Sequence, residues 1–302
     1  MFAFFSATAA EPLGPPAPSL ATLNVAAANI WGIPDFVHPR FKNLERLQGA
    51  AGDWLARARE RHDVVAIQEA WNGMWRQDLA NLRILLDLGV VMGRDPAAKD
   101  DRKRDAGLAF LPTNRDWTFT FVRQDPFDVR ATGFDGLTRK GFAVATLTSK
   151  SHPGLEVVIV NTHLQASGAT KHALIRQAQV DETLRWLATE DRPIIWMGDF
   201  NFYRDADAAR TDDETIRKMQ AAGFTEGAEV FTAAQRWATN IDGQRYDRVW
   251  IRGSLPGADG AHALSFATYE RHVNGGDDTD RDAVRALSDH IPLEARIVVR
   301  ER

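Results

Sequence analysis

The sequence predicts an α/β protein in which two packed β-sheets are covered by helices. Three observations lead there. About ten short apolar or alternating segments, bounded by turn residues, read as strands. Roughly four longer segments repeat apolar residues at helical spacing. The two kinds do not alternate strictly, as a succession of βαβ units would require. No internal repeat, low-complexity linker or mid-chain shift in composition divides the chain, so residues 20–302 are expected to form one domain.

In chain order, "MFAFFSATAAEPLGPPAPS" (1–19) is apolar, then small, then proline-rich. It reads as a disordered leader or a signal-peptide remnant, although the basic start of a signal peptide is missing. "ATLNVAAANIWG" reads as a strand ending near Asn29. From about Phe41 to Arg61, Leu44, Leu47, Ala51, Trp54, Leu55 and Ala58 recur at helical spacing. "DVVAIQEAW" is a short buried strand ending at Glu69, and "MWRQDLANLRILLDL" a second amphipathic helix. Strand signals recur at "AGLAFLP", "WTFTFV", "KGFAVATLTS", "LEVVIVNTHL", "PIIWMGDF", "YDRVWIRG", "ALSFATYER" and "PLEARIVV". Helical stretches near 170–189 and 212–222 interrupt them. The charged, glycine-containing segments 97–107 and 272–287 read as surface loops.

A chain of 302 residues, 44% hydrophobic and 26% charged, has the composition of a globular protein with a large core. A net charge of −4 weighs against a sequence-independent nucleic-acid coat, though not against a local basic groove. The absence of cysteine removes disulfide frameworks, thiolate zinc sites and a cysteine nucleophile. No apolar run approaches the ~20 residues of a membrane span, so work on lipid would be done from the water side. A soluble protein is expected, cytoplasmic or secreted/periplasmic.

The chemistry is concentrated at strand ends. In "IIWMGDFNFYR", Asp199 and Asn201 stand two apart where the strand should turn, so both can address one ligand. An Asx-type turn would explain that pair alone. It does not explain why Asn29, Glu69, Asn161 with His163, Asp247, and Asp289 with His290 also interrupt apolar runs at strand ends. If two sheets pack face to face, those ends converge on one rim. Crowded carboxylates raise one another's pKa unless a cation compensates them, and Mg²⁺ takes carboxylate, substrate and water oxygens. With histidines for proton transfer and no G-x-S-x-G elbow or H-E-x-x-H, metal-assisted hydrolysis of a phosphate ester is the indicated chemistry.

The ordered motifs "ANIWG", "IQEAW", "NTHLQA", "MGDFN", "YDRVW" and "LSDHIPL" resemble the endonuclease/exonuclease/phosphatase superfamily over about Thr22 to Val299. The resemblance implies a four-layered α/β sandwich and a Mg²⁺-dependent phosphoesterase site, in which Mn²⁺ or Co²⁺ could substitute. It implies Glu69 as main metal ligand, with Asn29 beside it and Asp289 near the metal directly or through water. Asp199 would orient or deprotonate the attacking water, Asn201 position the phosphate, and His163 bond a phosphoryl oxygen. His290 would be the general acid/base, oriented by Asp247.

"NIWGIP", "QEAWNGMWRQDL", "KGFAVATL" and "THLQA", with Arg176, Gln177 and Gln179 downstream, resemble neutral sphingomyelinases. That branch implies cleavage of sphingomyelin to ceramide and phosphocholine, a peripheral contact with the membrane surface, and a Lys140 that reaches the site with Asp135 five residues before it. Trp31, Trp71 and Trp75 could meet a choline headgroup by cation–π contact or simply pack in the core. "WMGDFNFYR" and Arg248 resemble inositol polyphosphate 5-phosphatases, and the shared catalytic set leaves a nuclease as a further alternative. A non-catalytic binding protein is disfavoured because no member of the set is replaced.

Overall fold

The computed structural model describes residues 19–32, 43–71, 83–92, 106–132, 139–203, 208–231, 234, 238–240, 243–255, 261–271 and 288–301. Residues 1–18 of the expected leader, most of loop 97–107, loop 272–287, the first part of the second helix, Trp75 and Asp135 lie outside these residues, while Ser19, expected as the leader's last residue, opens the first strand.

Among the described residues, twelve strands form two six-stranded sheets. The first contains β1 (Ser19–Asn29), β2 (Val64–Gln68), β3 (Val91–Met92), β4 (Ala109–Pro112), β11 (His262–Arg271) and β12 (Leu293–Glu301), in the order β11-β12-β1-β2-β4-β3. The second contains β5 (Trp117–Pro126), β6 (Gly141–Ser149), β7 (Glu156–His163), β8 (Ile194–Asp199), β9 (Thr225–Glu226) and β10 (Asp247–Arg252), in the order β5-β6-β7-β8-β10-β9.

Both sheets are mixed, and each has a single parallel pair at its centre, β1 with β2 and β7 with β8. Parallel neighbours need a crossover. Helices α1 (Asn43–Gln48) and α2 (Ala50–Arg61) lie in the first crossover, and α3 (Thr170–Leu187) forms the second. The continuous helix expected over 41–61 is in fact broken at Gly49, which leaves helical geometry at φ −115°, ψ −121°. Further on are α4 (Ala209–Ala221) and the single-turn α5 (Gly227–Val230), and residues 83–87 are also helical. The two-residue strands β3 and β9 and α5 are too short to leave a periodic signal in sequence.

Strand alternation sorts the core into layers. Leu23, Val25, Ala27, Val64, Ala66, Val157, Ile159, Ile195, Met197, Val249 and Ile251 meet between the sheets. Their neighbours Ala26, Ala28, Val65 and Ile67 face outward under Trp54, Leu55 and Ala58 of α2. Val158, Val160, Ile194, Trp196 and Trp250 do the same under Val180 and Leu187 of α3 and Met219 of α4. The result is the expected four-layered sandwich, helix, sheet, sheet, helix. No described helix is long and apolar enough to cross a membrane.

Candidate active site

Parity places the site. Extending the inner-face positions along each strand reaches Asn29, Gln68, Asn161, His163, Asp199 and Asp247. All are buried, and they sit at the carboxyl ends of the two parallel pairs, where open α/β sheets bind ligands. Asp247 opens β10, which is antiparallel to β8 and sets it directly opposite Asp199. Gly198, at φ 139°, lets the strands meet closely there: a Cβ would lie 2.1 Å from the Thr162 carbonyl oxygen.

A buried amide pair ties the sheets together beneath the rim. Gln68 Nε2 donates to Asn161 Oδ1 at 2.7 Å, and Asn161 Nδ2 donates to the carbonyls of Ile67 and Ala109 at 2.9 Å each. Above it, Asn29 Nδ2 donates to Glu69 Oε1 (3.2 Å) and Asp199 Oδ2 (3.1 Å), bridging the two half-sites. Asn29 Oδ1 accepts from Trp31 N at 2.9 Å, so as placed Asn29 could ligate a metal through oxygen only with its amide turned. Alternation would send Glu69 outward. Its backbone instead enters the left-handed region, φ 58°, and its carboxylate joins Asn29.

His163 Nε2 lies 2.6 Å from Lys140 Nζ, 3.3 Å from Asp199 Oδ2 and 3.8 Å from Glu69 Oε1. His290 Nδ1 bonds Asp247 Oδ2 at 2.7 Å, leaving Nε2 3.8 Å from Asp199 Oδ2 and 3.9 Å from Asp289 Oδ2. Asn201, at φ 50°, donates its backbone N–H to Asp199 Oδ1 (3.0 Å) and its side chain to the Leu164 carbonyl (3.1 Å). All nine expected residues therefore fall in one cluster or directly on its edge. Of the tryptophans, Trp71 is tilted against His163 with ring centroids 6.5 Å apart, in a space kept open by Gly107.

The two histidines are driven apart electrostatically. Burial holds His163 well below the usual imidazole range, reinforced by the charges of Lys140 and His290, so it is neutral. Burial also opposes charge on His290, but the carboxylates of Asp247, Asp289 and Asp199 outweigh it and hold it well above that range, so it is an imidazolium. Burial raises Asp199, and pushes Asp289 up to about 7 with help from Glu69 and Asp199. Burial lowers Lys140 against the pull of Glu69, Asp199 and Asp289.

Four carboxylates thus face two cationic groups. Glu69 Oε2 and Asp247 Oδ1 are buried without a hydrogen-bond partner, an arrangement that costs stability unless a cation answers it. Oxygen donors of this kind fit a hard divalent ion. Ligand atoms of Asp199, Asp247 and His290 also lie within 4.8 Å of one another. The 2.7 Å imidazole–carboxylate bond already occupies Asp247 Oδ2 and His290 Nδ1, which gives that trio the geometry of a proton relay; the open oxygens are Glu69 Oε2 and Asp247 Oδ1.

Arg176 and Asp212 hold the loops that leave His163 and Asn201. Arg176 Nε and Nη2 donate to the two Asp212 oxygens at 3.0 and 2.7 Å, and Nη1 donates to the Gln165 and Ser167 carbonyls. Asp212 Oδ2 accepts from Tyr203 N at 2.9 Å. Gln68, Thr239 (whose Oγ1 accepts from Asp247 N) and Asp212 were not singled out in the sequence; strand parity would have found Gln68. Arg248 pairs with Glu226 at 2.8 Å and lies over the Phe202 ring on the outer side of β10.

A two-sheet α/β sandwich with acids, amides and histidines along one rim defines the phosphoesterase class of fold. Residues 26–290 match the Endonuclease/Exonuclease/phosphatase family, and the chain belongs to it. Its members are hydrolases acting on phosphoesters and generally use divalent metals. No curated protein sequence matches the chain. Among solved structures, it is similar to D. rerio TDP2 complexed with single strand DNA product, at 18% identity and TM-score 0.61, covering 92% of this chain and 99% of that one. It is similar to SmcL at 18% identity and TM-score 0.58 (92% and 98%), and to the beta toxin of Staphylococcus aureus at 16% and 0.56 (90% and 99%). At these identities the likeness is one of fold.

Proposed function

We propose that the protein is a divalent-metal-dependent phosphodiesterase acting on phospholipid, with sphingomyelin as reference substrate. The observation that carries the hydrolase reading is geometric: His163 Nε2 and His290 Nε2 stand 3.3 and 3.8 Å from Asp199 Oδ2, beside a buried carboxylate oxygen of Glu69 that lacks a partner. The phospholipid reading rests on the sequence motifs around Asn29, Glu69, Lys140 and His163, and on the Trp71 ring beside His163.

Glu69 and Asp289, with Asn29 once its amide turns, would hold Mg²⁺. The ion would polarise a phosphoryl oxygen and offset the excess negative charge. Asp199, steered by the Asn201 backbone N–H, takes a proton from the attacking water as the new P–O bond forms. His290 gives its Nε2 proton to the departing alkoxide, and Asp247 keeps the ring in register at Nδ1. Lys140 and His163 face the charge that develops on phosphorus-bound oxygen.

A second reading, nuclease, is favoured by the likeness to D. rerio TDP2 in complex with single strand DNA product. The phosphatase alternative keeps the "WMGDFNFYR" segment as support, while Arg248 is paired with Glu226. The test is purified protein with Mg²⁺ or EDTA on sphingomyelin liposomes, supercoiled plasmid and a soluble inositol polyphosphate. Mg²⁺-dependent phosphocholine release is expected; turnover of plasmid alone would replace the phospholipid reading with the nuclease one.

A further inference from the structure

A cavity of about 240 Å³ opens beside the site, walled by Pro126, Phe127, Asp128, Arg130, Arg139 and Lys140. Among the described residues its charge is one-sided, three cations against one carboxylate. Arg130 is exposed and Arg139 half-buried, and neither makes a hydrogen bond or ion pair with a described residue. The buried arginines elsewhere among the described residues are all engaged: Arg176 with Asp212, Arg245 and Arg248 with Glu226, and Arg46 and Arg252 with backbone carbonyls. Two guanidinium groups facing one hollow, with Asp128 the one carboxylate among its described wall residues and bonded to neither of them, repel each other, and a bound anion would relieve this. Arg139 shows the strain, lowered first by burial and then by the charge of Arg130.

The cavity is in line with the chemistry. Pro126 pairs with Gly141, Gly141 with His163, and His163 with Asp199, so the four stand in register along the rim of the second sheet. Two strand spacings put the β5 end about 10 Å from His163. Lys140 belongs to both places, part of the cavity wall and 2.6 Å from His163 Nε2.

We propose that the Arg130–Arg139 cavity is an anion subsite that receives a second phosphate group of the same substrate, on the β5 side of His163 along the rim from the scissile one. Paired guanidinium forks match phosphate oxygens in geometry and charge. The proposal rests on the phosphodiesterase reading and not on sphingomyelin as its substrate: an ester carrying a second phosphate is bound more tightly than one ending in a choline.

Two experiments keep the pocket and the reaction separate. Inorganic phosphate is titrated calorimetrically into wild type and R130Q/R139Q in EDTA, where the metal contributes nothing. Saturable binding weakened at least tenfold in the variant is expected. No binding in wild type, or equal binding in both, overturns the pocket.

Steady-state kinetics with Mg²⁺ then compare 4-nitrophenyl butyl phosphate with its analogue bearing a terminal phosphate. R130Q/R139Q should raise KM at least tenfold for the analogue at nearly constant kcat and leave the parent ester within twofold, with R130K/R139K recovering part of the loss. Equal losses on both esters would mean a structural role and overturn the proposal. If neither ester is turned over, the phosphodiesterase reading falls, and the phosphate titration still decides the pocket. Phosphorylated-headgroup phospholipid vesicles and a short 5′-phosphorylated oligonucleotide, run with the same variants, identify the natural carrier: the one whose turnover falls selectively supplies the phosphate, and no selective loss on either counts against a second-phosphate subsite.

Discussion

The two central parallel pairs are built alike and finished differently. Each is a β-crossover-β unit whose strands run out at the same rim, and each has its acid beside a residue in left-handed backbone, Glu69 itself at φ 58° and Asn201 at φ 50° after Asp199. At the β7/β8 end, both Asp199 oxygens accept hydrogen bonds, Asn201 is bonded through its backbone and side chain, and His163 meets Lys140. At the β1/β2 end, Glu69 keeps one buried oxygen without a partner. Strain of this kind costs about 1–3 kcal/mol and persists where the surroundings over-determine it. The second sheet thus contributes most of the proton-handling groups already hydrogen-bonded to one another, with Asp247 Oδ1 the one buried carboxylate oxygen of that set, among the described residues, without a partner. The first contributes a vacancy in charge for something not encoded by the chain.

The largest effect should come from removing the proton donor that faces both halves. His290→Ala is expected to lower kcat by roughly 10²–10⁴-fold, the usual reach of one general acid/base, and also to lower the melting temperature because Asp247 is left buried without its partner, so kcat is compared at a temperature where both proteins are folded. An activity within tenfold of wild type would take His290 out of the reaction. Next, Arg176→Ala leaves Asp212 charged and buried among the loops behind His163 and Asn201. It should cost about 3–5 kcal/mol by urea unfolding. A loss under about 1 kcal/mol would show that the finished half does not depend on that pair.

Glu69→Gln probes the other half. Wild type should gain about 2.7 kcal/mol of stability at a Mg²⁺ concentration a hundred times Kd. The variant should show no Mg²⁺-dependent rise in melting temperature. An undiminished rise would move the cation toward the Asp199, Asp247 and His290 trio and dissolve the division of labour between the sheets.

Much of this was legible because strand parity is simple. Once Met197 and Ile195 are inner residues, Asp199 must be inner too, and the same step leads from Ala27 to Asn29 and from Ile159 to Asn161 and His163. Glu69 was found as a strand-end acid, yet parity alone would have turned it away from the site; only its left-handed φ brings it in, and no side-chain pattern announces that. Arg176 and Asp212 sit 36 residues apart on different helices, and their pairing is a tertiary fact. Gly49 broke a helix that apolar spacing alone made continuous, because the spacing registers which face is buried and not whether the backbone turns within it. The Arg130 and Arg139 cavity depended on β5 and β6 pairing, which sets Pro126 opposite Gly141.

The smallest expected effect tests the charge vacancy through protons. Burial, then the charges of Glu69 and Asp199, hold the Asp289 carboxyl up to about 7, against an ordinary value of 3.8. Between those values the folded protein keeps a proton that the unfolded chain has released, so this group's contribution to stability is fully present below about pH 4 and is lost as pH rises through 7. In EDTA, the urea midpoint of wild type should therefore fall between pH 5 and pH 8 by more than that of Asp289→Asn, whose amide does not titrate. Mg²⁺ binding requires the carboxylate, so it should release a fraction of a proton per ion at pH 6.5 and almost none at pH 8.5, measured from the buffer dependence of the binding enthalpy. Identical pH slopes in wild type and Asp289→Asn would place the missing charge on Glu69 alone, and the first sheet would then supply the metal side of the rim without help from the strand-end loop before β12.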